Sequence, residues 1–505
     1  MKKIHILTVC FIGLFLFTAC DDFLNLKPRD KKVATTIEDY RDIMASYMHF
    51  LKTPNRPQEI LFGLNVFVSP RFDVAKYLAV YTGEVNLTKN SLTYYDSEKN
   101  EYTEKGKILL TWLNSEPSVW NQYYEFLGPI NEIISAISTA DGNNEELRNY
   151  VKGEALVWRA FAYYKLLQYY APYKDNAYGI PVYLNPVDDI GNAMPPRKTQ
   201  KEVFTQILND CREVLKLLEV TNTNEWNCAY RYDFVNAMMA SIYAWKAMSG
   251  AAEDTDWSNA EKYATEAMTG RQLVNTSQEL RKIFDCREVT VETSVESDEF
   301  YFRIVAGSQQ YVFNFSDAYY ENPSLGMGVA DGLINQVYYR RFSDNDIRKS
   351  IYFTEDGTKS DKYNLLGLTG IVGGTGGGCL MLFRLAEMYL IKAEALVRQG
   401  DVGGAQDVLR QFKSARYTGE IQVPADKDAL LLEILEERTR EFYMENDARW
   451  LDMKRIGISY ERTVSGEIYK LQPDDFRYSF PIPRKEMELN RNMVQNPGWE
   501  SVILD

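Results

Sequence analysis

Four carboxylates crowd one short stretch of the C-terminal third: Glu436, Glu437, Glu441 and Glu445. Paired carboxylates are the equipment of glycoside hydrolysis, where one donates a proton and the other attacks or activates water. These four share a helical stretch with Arg438 and Arg440. Solvated or ion-paired faces account for them better, and no pair stands out as a poised acid and base. Between Ile371 and Cys379 lie Gly373, Gly374, Gly376, Gly377 and Gly378. Glycine-rich backbone can cradle phosphate, but this run lacks the G-K-[ST] ending of a P-loop and misses the G-x-G-x-x-G spacing. It reads as a turning surface loop. The chain has two histidines, His5 and His49. A zinc site built on several histidines is therefore excluded, and His49 alone sits in no recognisable catalytic context. The cysteines are Cys10, Cys20, Cys211, Cys228, Cys286 and Cys379, with no C-x-x-C pair. That excludes zinc-finger and dithiol redox spacings. Outside the cytoplasm a disulfide among the last four is allowed but not required. No catalytic residue, metal ligand or cofactor is assigned.

The aromatic residues point to a different chemistry, binding without turnover. The chain holds 35 Tyr, 24 Phe and 8 Trp. Flat rings stack on the apolar faces of sugars, and Tyr adds a polar tip. Most of these rings must pack between helices. Those in irregular segments are not committed to that role: Tyr77, Tyr81, Tyr94, Tyr95 and Trp112, then Tyr311, Phe313, Tyr319 and Tyr320. Three groups place a ring beside a partner for hydroxyls. They are Trp112 with Asn114, Tyr94-Tyr95 with Asp96, and Tyr319-Tyr320 with Glu321-Asn322. The ligand-binding candidates are thus Tyr94, Tyr95, Trp112, Asn114, Tyr319 and Tyr320, with core packing as the alternative for each.

The N-terminus says where such binding takes place. Lys2-Lys3 precedes a nearly continuous apolar run from Ile4 to Phe17. The run is shorter than the roughly 20 residues a helix needs to cross a bilayer. Its basic start and small residues fit a secretory signal peptide over residues 1–19. Leu16-Phe17-Thr18-Ala19-Cys20 resembles a bacterial lipobox, which makes Cys20 the lipid attachment point. No other stretch is apolar enough to anchor the chain, so a globular body on a lipid tether is expected. Net charge is −14; residues 1–19 carry two Lys and no acid, so the chain from Cys20 onward is −16. An acidic body of this kind has no electrostatic footprint for nucleic acid.

The scaffold that must position the rings is helical. Apolar residues recur at helical spacing over 36–52, 119–139, 145–170, 199–219, 231–249, 257–269, 380–399, 402–415 and 427–445. Thr199 with Glu202 reads as a capping box. The segments 231–249 and 257–269 read as a helical hairpin, with Trp257, Ala260, Tyr263, Ala264 and Ala267 on one face. Segments 380–399 and 402–415, joined by Gly400-Asp401, read as a second. The fold class is mostly α, with degenerate tetratricopeptide-like helix pairs, large irregular loop segments and a few short β-hairpins. One such hairpin is expected over Glu299–Val305 and Gln309–Phe315. The helical scaffold spans 119–270 and 380–457. The irregular segments 53–118 and 271–379 are read as ligand-facing, because long unstructured segments in a compact protein are usually functional.

Several motifs then converge. Cys20 is followed by Asp22-Phe23-Leu24-Asn25-Leu26-Lys27-Pro28. Glu154-Ala155 and Arg159-Ala160-Phe161 precede Gly179-Ile180-Pro181. Arg384-Leu385-Ala386-Glu387-Met388-Tyr389-Leu390 runs into Ala393-Glu394-Ala395. Glu437-Arg438, Arg440-Glu441-Phe442, Glu445, Arg449-Trp450, Asp452, Lys454-Arg455 and Gly457 follow, and the chain closes on Pro481-Ile482-Pro483, Glu486, Asn490, Asn492 and Gln495-Asn496-Pro497-Gly498-Trp499. This set resembles the SusD/RagB family of Bacteroidetes outer-membrane lipoproteins, from Cys20 to the C-terminus as a single domain. Asn446 stands where that family usually has Gly, a mild change because Asn tolerates the left-handed conformation. The resemblance implies an outer-membrane, outward-facing location. It implies a SusC-like TonB-dependent transporter as partner, over which the lipoprotein sits as a lid. It also implies capture of oligosaccharides, or in some members peptides, without cleavage.

Overall fold

Nearly every stretch with helical spacing is a helix. The computed structural model describes residues 34–52, 81–86, 91–96, 101–107, 112, 117–185, 194–221, 229–285, 297–306, 328–329, 333–334, 336–357, 360–362, 378–445, 447–464 and 466–502. In chain order they form α1 (Ile37–Lys52), β1 (Val85–Asn86), β2 (Ser91–Asp96), β3 (Glu101–Lys107), α2 (Pro117–Ala136), α3 (Glu145–Tyr170) and α4 (Gln200–Val220). Next come α5 (Tyr232–Lys246), α6 (Asp256–Met268), α7 (Ser277–Phe284), β4 (Phe300–Ala306), β5 (Gly328–Val329), β6 (Leu333–Ile334), α8 (Gln336–Tyr339) and α9 (Lys349–Tyr352). The C-terminal part holds β7 (Gly378–Arg384), α10 (Leu385–Gln399), α11 (Val402–Ser414), α12 (Lys427–Glu441), α13 (Ala448–Ile456), β8 (Tyr460–Val464), β9 (Glu467–Leu471) and α14 (Arg484–Leu489).

Local chemistry sets the helix ends. The Thr199 N–H donates to the Glu202 carboxylate at 2.8 Å, and the Glu202 N–H donates back to the Thr199 hydroxyl at 3.2 Å. That reciprocal pair satisfies two donors that the first turn leaves open. Gly400 ends α10 at φ +94°, where an L side chain would be strained, and Asp401 caps α11 through the Gly404 N–H at 2.9 Å.

Both expected pairs are present, α5 on α6 and α10 on α11; the structure adds α3 on α4, α6 against α10, and α12 packed on α10. Ala260, Ala264 and Ala267 are fully buried and let α6 approach closely. α3 is the central element, with Val151, Ala155, Trp158, Ala162 and Leu166 all without solvent exposure. From Gly153 to Tyr170 every residue of α3 is buried, polar and apolar alike, which places the helix inside the core. Tyr230 crosses α3 at Gly153, where a Cβ would come within 2.0 Å of the ring. Beside it the buried Glu154 carboxylate accepts from the N–H groups of Ala229 and Tyr230, at 3.1 and 2.7 Å. At the other end of α3, Lys454 Nζ donates to the Gln168 and Ala171 carbonyls at 2.7 and 2.8 Å. Asn496 Nδ2 donates to the Tyr170 carbonyl at 2.7 Å. These bonds are why the C-terminal motif residues Lys454 and Asn496 matter: they satisfy carbonyls the helix end leaves bare.

Two expectations need correction. Residues 380–384 are not the first turn of a helix; they belong to β7, which pairs antiparallel with β4, Phe302 opposite Leu382 and Ile304 opposite Leu380. Leu380-Met381-Leu382-Phe383 is a short apolar run, and such a run has no period to separate strand from helix. The strand expected over 299–305 is present as β4, but the partner it shows is β7; residues 309–315 lie outside the described residues. No helix of the described residues is long and apolar enough to cross a membrane.

Candidate functional site

The two irregular segments meet through backbone pairing. β2 pairs antiparallel with β3, placing Tyr94 opposite Thr103 and Tyr95 opposite Tyr102. The other edge of β2 pairs with β5, Leu92 opposite Val329 and Thr93 opposite Gly328. A second ladder joins β1 to β6, Val85 opposite Ile334 and Asn86 opposite Leu333. Residues 53–118 and 271–379 are therefore stitched together twice. Hydrogen bonds between strands fix the relative position of the paired residues.

Of the ligand-binding candidates, Tyr94 and Tyr95 sit in β2. Asn114, Tyr319 and Tyr320 lie outside the described residues, as do Cys20, Tyr77, Tyr311 and Phe313. Trp112 is described and is buried, 2% exposed. Its Nε1 donates to the Tyr81 carbonyl at 3.3 Å, and its ring meets Tyr460 edge-on at 6.3 Å. The guanidinium groups of Arg462 and Arg477 lie 5.3 and 5.5 Å from its ring centroid. Trp112 thus takes the core-packing alternative. It ties the first irregular segment to the β8–β9 hairpin instead of offering a free stacking face. Tyr81 is likewise 2% exposed and lies 5.9 Å from the Trp450 ring.

The four carboxylates turn out to be mostly structural. Glu437, Glu441 and Glu445 are buried, whereas Glu436 is partly exposed and pairs with Arg341. Arg348 donates to Glu437 at 2.8 Å and to Glu441 at 3.0 Å. Arg384 donates to Glu441 and Glu445, both at 2.7 Å. Arg416 reaches both Glu299 and Glu441 at 3.0 Å, and Lys362 donates to Glu445 at 2.8 Å. Burial pushes the Glu437 carboxyl upward, but Arg348 and Arg440 outweigh it and hold the group at about 2. Glu441 is held well below the usual carboxylate range, with Arg416, Arg384 and Arg348 overcoming its burial. A general acid needs the opposite, a carboxyl kept protonated near neutral pH. The sequence marks Glu437, Glu441 and Glu445 for an ion-paired face. What it leaves out is that Arg348, Lys362 and Arg416 arrive from elsewhere in the chain to bury them. The Gly-rich stretch contributes Gly378 and Cys379 to β7, and residues 371–377 lie outside the described residues.

Comparison with known proteins gives this arrangement its relatives. A family model described as "Starch-binding associating with outer membrane" matches residues 22–243, and one described as "SusD family" matches residues 361–499. The "Starch-binding protein SusD" of Bacteroides thetaiotaomicron is 35% identical over 125 residues, 24% of this chain and 21% of that protein. The match thus spans about a fifth of that relative's length. The "SusD-like protein P38" of Formosa agariphila is 23% identical over 99% of both chains. Among solved structures, a SusD superfamily protein from Bacteroides thetaiotaomicron superposes with TM-score 0.64 at 19% identity, over 92% of this chain and 100% of that one. A SusD-like carbohydrate binding protein from Bacteroides vulgatus superposes with TM-score 0.63 at 17% identity, over 91% and 97%. At such identities the superpositions speak for the fold, while the two family models cover the N-terminal and C-terminal motif blocks. The chain belongs to the SusD/RagB family.

Proposed function

We propose that this chain is a lipid-anchored cell-surface protein that captures oligosaccharides and passes them, uncleaved, to a SusC-like TonB-dependent outer-membrane transporter. The observation that carries the reading is the double pairing, β2 with β5 and β1 with β6, that brings the two irregular segments together. Recognition residues concentrate in non-helical segments held by a rigid scaffold, and Tyr94 and Tyr95 lie in the strand at the centre of this join. The names of the relatives, starch-binding and carbohydrate binding, support glycans as the ligand class. The ion-paired state of Glu437 and Glu441 speaks against a lipid-anchored glycosidase. Capture of peptides by the same lid-and-barrel arrangement is the second reading.

The test is affinity electrophoresis of the mature chain through gels containing a panel of polysaccharides, alongside an assay for new reducing ends. Retardation by a glycan without reducing ends is the expected result. Reducing ends that rise in proportion to highly purified protein would overturn the non-catalytic reading. Retardation by no glycan, with binding to a peptide digest, would move the ligand to the peptide class.

A further inference from the structure

A groove opens between α2, residues 181–183 and α14, with a volume of about 460 Å³. That is within the range of small-molecule and sugar pockets, roughly 300–1,000 Å³. Tyr124 and Tyr183 line it, both partly exposed, with ring centroids 5.7 Å apart and planes at 81°. The pair is held in place from behind. The Tyr124 hydroxyl donates to the Pro181 carbonyl at 2.8 Å. The Tyr183 N–H donates to the Tyr163 hydroxyl at 2.9 Å, and the Tyr183 carbonyl accepts from Asn131 Nδ2 at 3.0 Å. Asn131 has no solvent exposure and is itself braced by Arg159, whose Nη1 donates to Asn131 Oδ1 at 3.3 Å and which pairs with buried Asp210 at 2.7 Å. The wall of the groove is therefore pre-organised before anything binds, which lowers the ordering cost of binding.

The rim supplies polar groups of both signs. Asn121, Glu125 and Lys485 are exposed and Glu486 is partly exposed. Among the described residues none of these four side chains makes a hydrogen bond or ion pair, so their polar heads are available to a ligand. Two fixed rings with an amide, two carboxylates and an ammonium suit a neutral polyhydroxylated ligand: C–H faces on the rings, hydroxyls on the rim. The mixed charge does not favour a strongly anionic or cationic one.

We infer that this groove is a second glycan-binding subsite, built from residues outside the joined irregular segments and taking part of a neutral oligosaccharide. The inference rests on the reading of the chain as a glycan binder, and it adds an independent point of attachment. Two points on one chain would hold a long glycan more tightly than either alone, because the second contact is intramolecular.

The test is titration calorimetry of the mature chain with maltoheptaose, cellohexaose and xylohexaose, each compared with a peptide digest of casein. Three variants are measured beside the parent chain. Tyr183→Ala removes one ring. The double change Asn121→Ala with Lys485→Ala removes exposed rim groups and cannot threaten the core. Tyr94→Ala with Tyr95→Ala addresses the other site. The expected result is that the rim variant keeps its melting temperature and loses about tenfold or more in affinity, or one of two binding sites, for a sugar probe. Unchanged sugar binding in both groove variants, with loss in the Tyr94/Tyr95 variant, overturns this subsite and leaves the proposed function standing. Sugar binding by none of the four proteins, together with retardation by no polysaccharide in the gel panel, overturns both. Peptide binding that only the groove variants lose overturns the glycan assignment of the groove.

Discussion

Arg384 Nη2 donates to Glu441 Oε1 across 2.7 Å with neither side chain exposed beyond 1%. Glu441 also accepts from Arg348 and Arg416, so one carboxylate answers three guanidinium groups that come from separate parts of the chain. Removing one partner of a buried ion pair leaves the others uncompensated, at a cost of about 3–5 kcal/mol. Glu441→Gln is expected to destabilise the fold by about that amount in urea unfolding. Equal unfolding midpoints for variant and parent would show that the network relaxes freely around the change.

Acid should act through the same carboxylates. Glu437 is held at about 2 against its ordinary 4.5, because Arg348 and Arg440 outweigh the effect of burial. Glu394 is also held at about 2, with Arg455 and Arg398 overcoming its burial. Between these values the folded chain binds fewer protons than the unfolded one. Their contribution is therefore complete above about pH 4.5 and is lost as pH falls toward about 2. Thermal melts at stepwise lower pH should show a steep loss in that window, and Glu437→Gln should flatten it. Superimposable acid profiles for the two proteins would refute the assignment.

Trp112 is expected to be a stability residue. Deleting a buried Trp side chain costs about 3–5 kcal/mol, and Trp112 also bonds to the Tyr81 carbonyl. Trp112→Ala should melt early and, well below its melting point, bind the glycan found in the gel panel as the parent does. Lost affinity at an unchanged melting temperature would return this ring to the ligand.

Tyr94 and Tyr95 occupy consecutive positions of β2. Consecutive strand positions belong to opposite faces of a sheet. Single alanine changes should therefore separate, one costing roughly thirtyfold in glycan affinity and the other leaving it unchanged. Equal losses from both, each with a lowered melting temperature, would mean that the strand itself and not a ring had been damaged.

Cys20 is the proposed tether. Cys20→Ala should abolish incorporation of labelled palmitate and leave the chain uncleaved or released from the membrane fraction. Undiminished labelling of the variant would place the lipid elsewhere.

What the sequence determined by itself was local. The Thr199–Glu202 capping box, the Gly400-Asp401 turn and the apolar stripes each act over a turn or two of chain. The helices they mark start and stop within a few residues of where spacing put them. The family motifs were legible because each is a short run of residues in a set order; the structure adds that two of them, Lys454 and Asn496, meet the bare carbonyls at the end of α3. Tertiary structure alone decided the rest. Residues 380–384 became strand because β4 arrived beside them, and a short apolar run carries no period to say so in advance. Glu441 gained Arg348, Arg384 and Arg416 as partners, and Trp112 was covered by Tyr81 and Tyr460, through contacts between residues far apart in the chain. The joining of β2 to β5 and the groove walled by Tyr124 and Tyr183 have the same origin. Composition places rings and charges on a chain, but only long-range packing decides which are buried, which are paired and which are left facing a ligand.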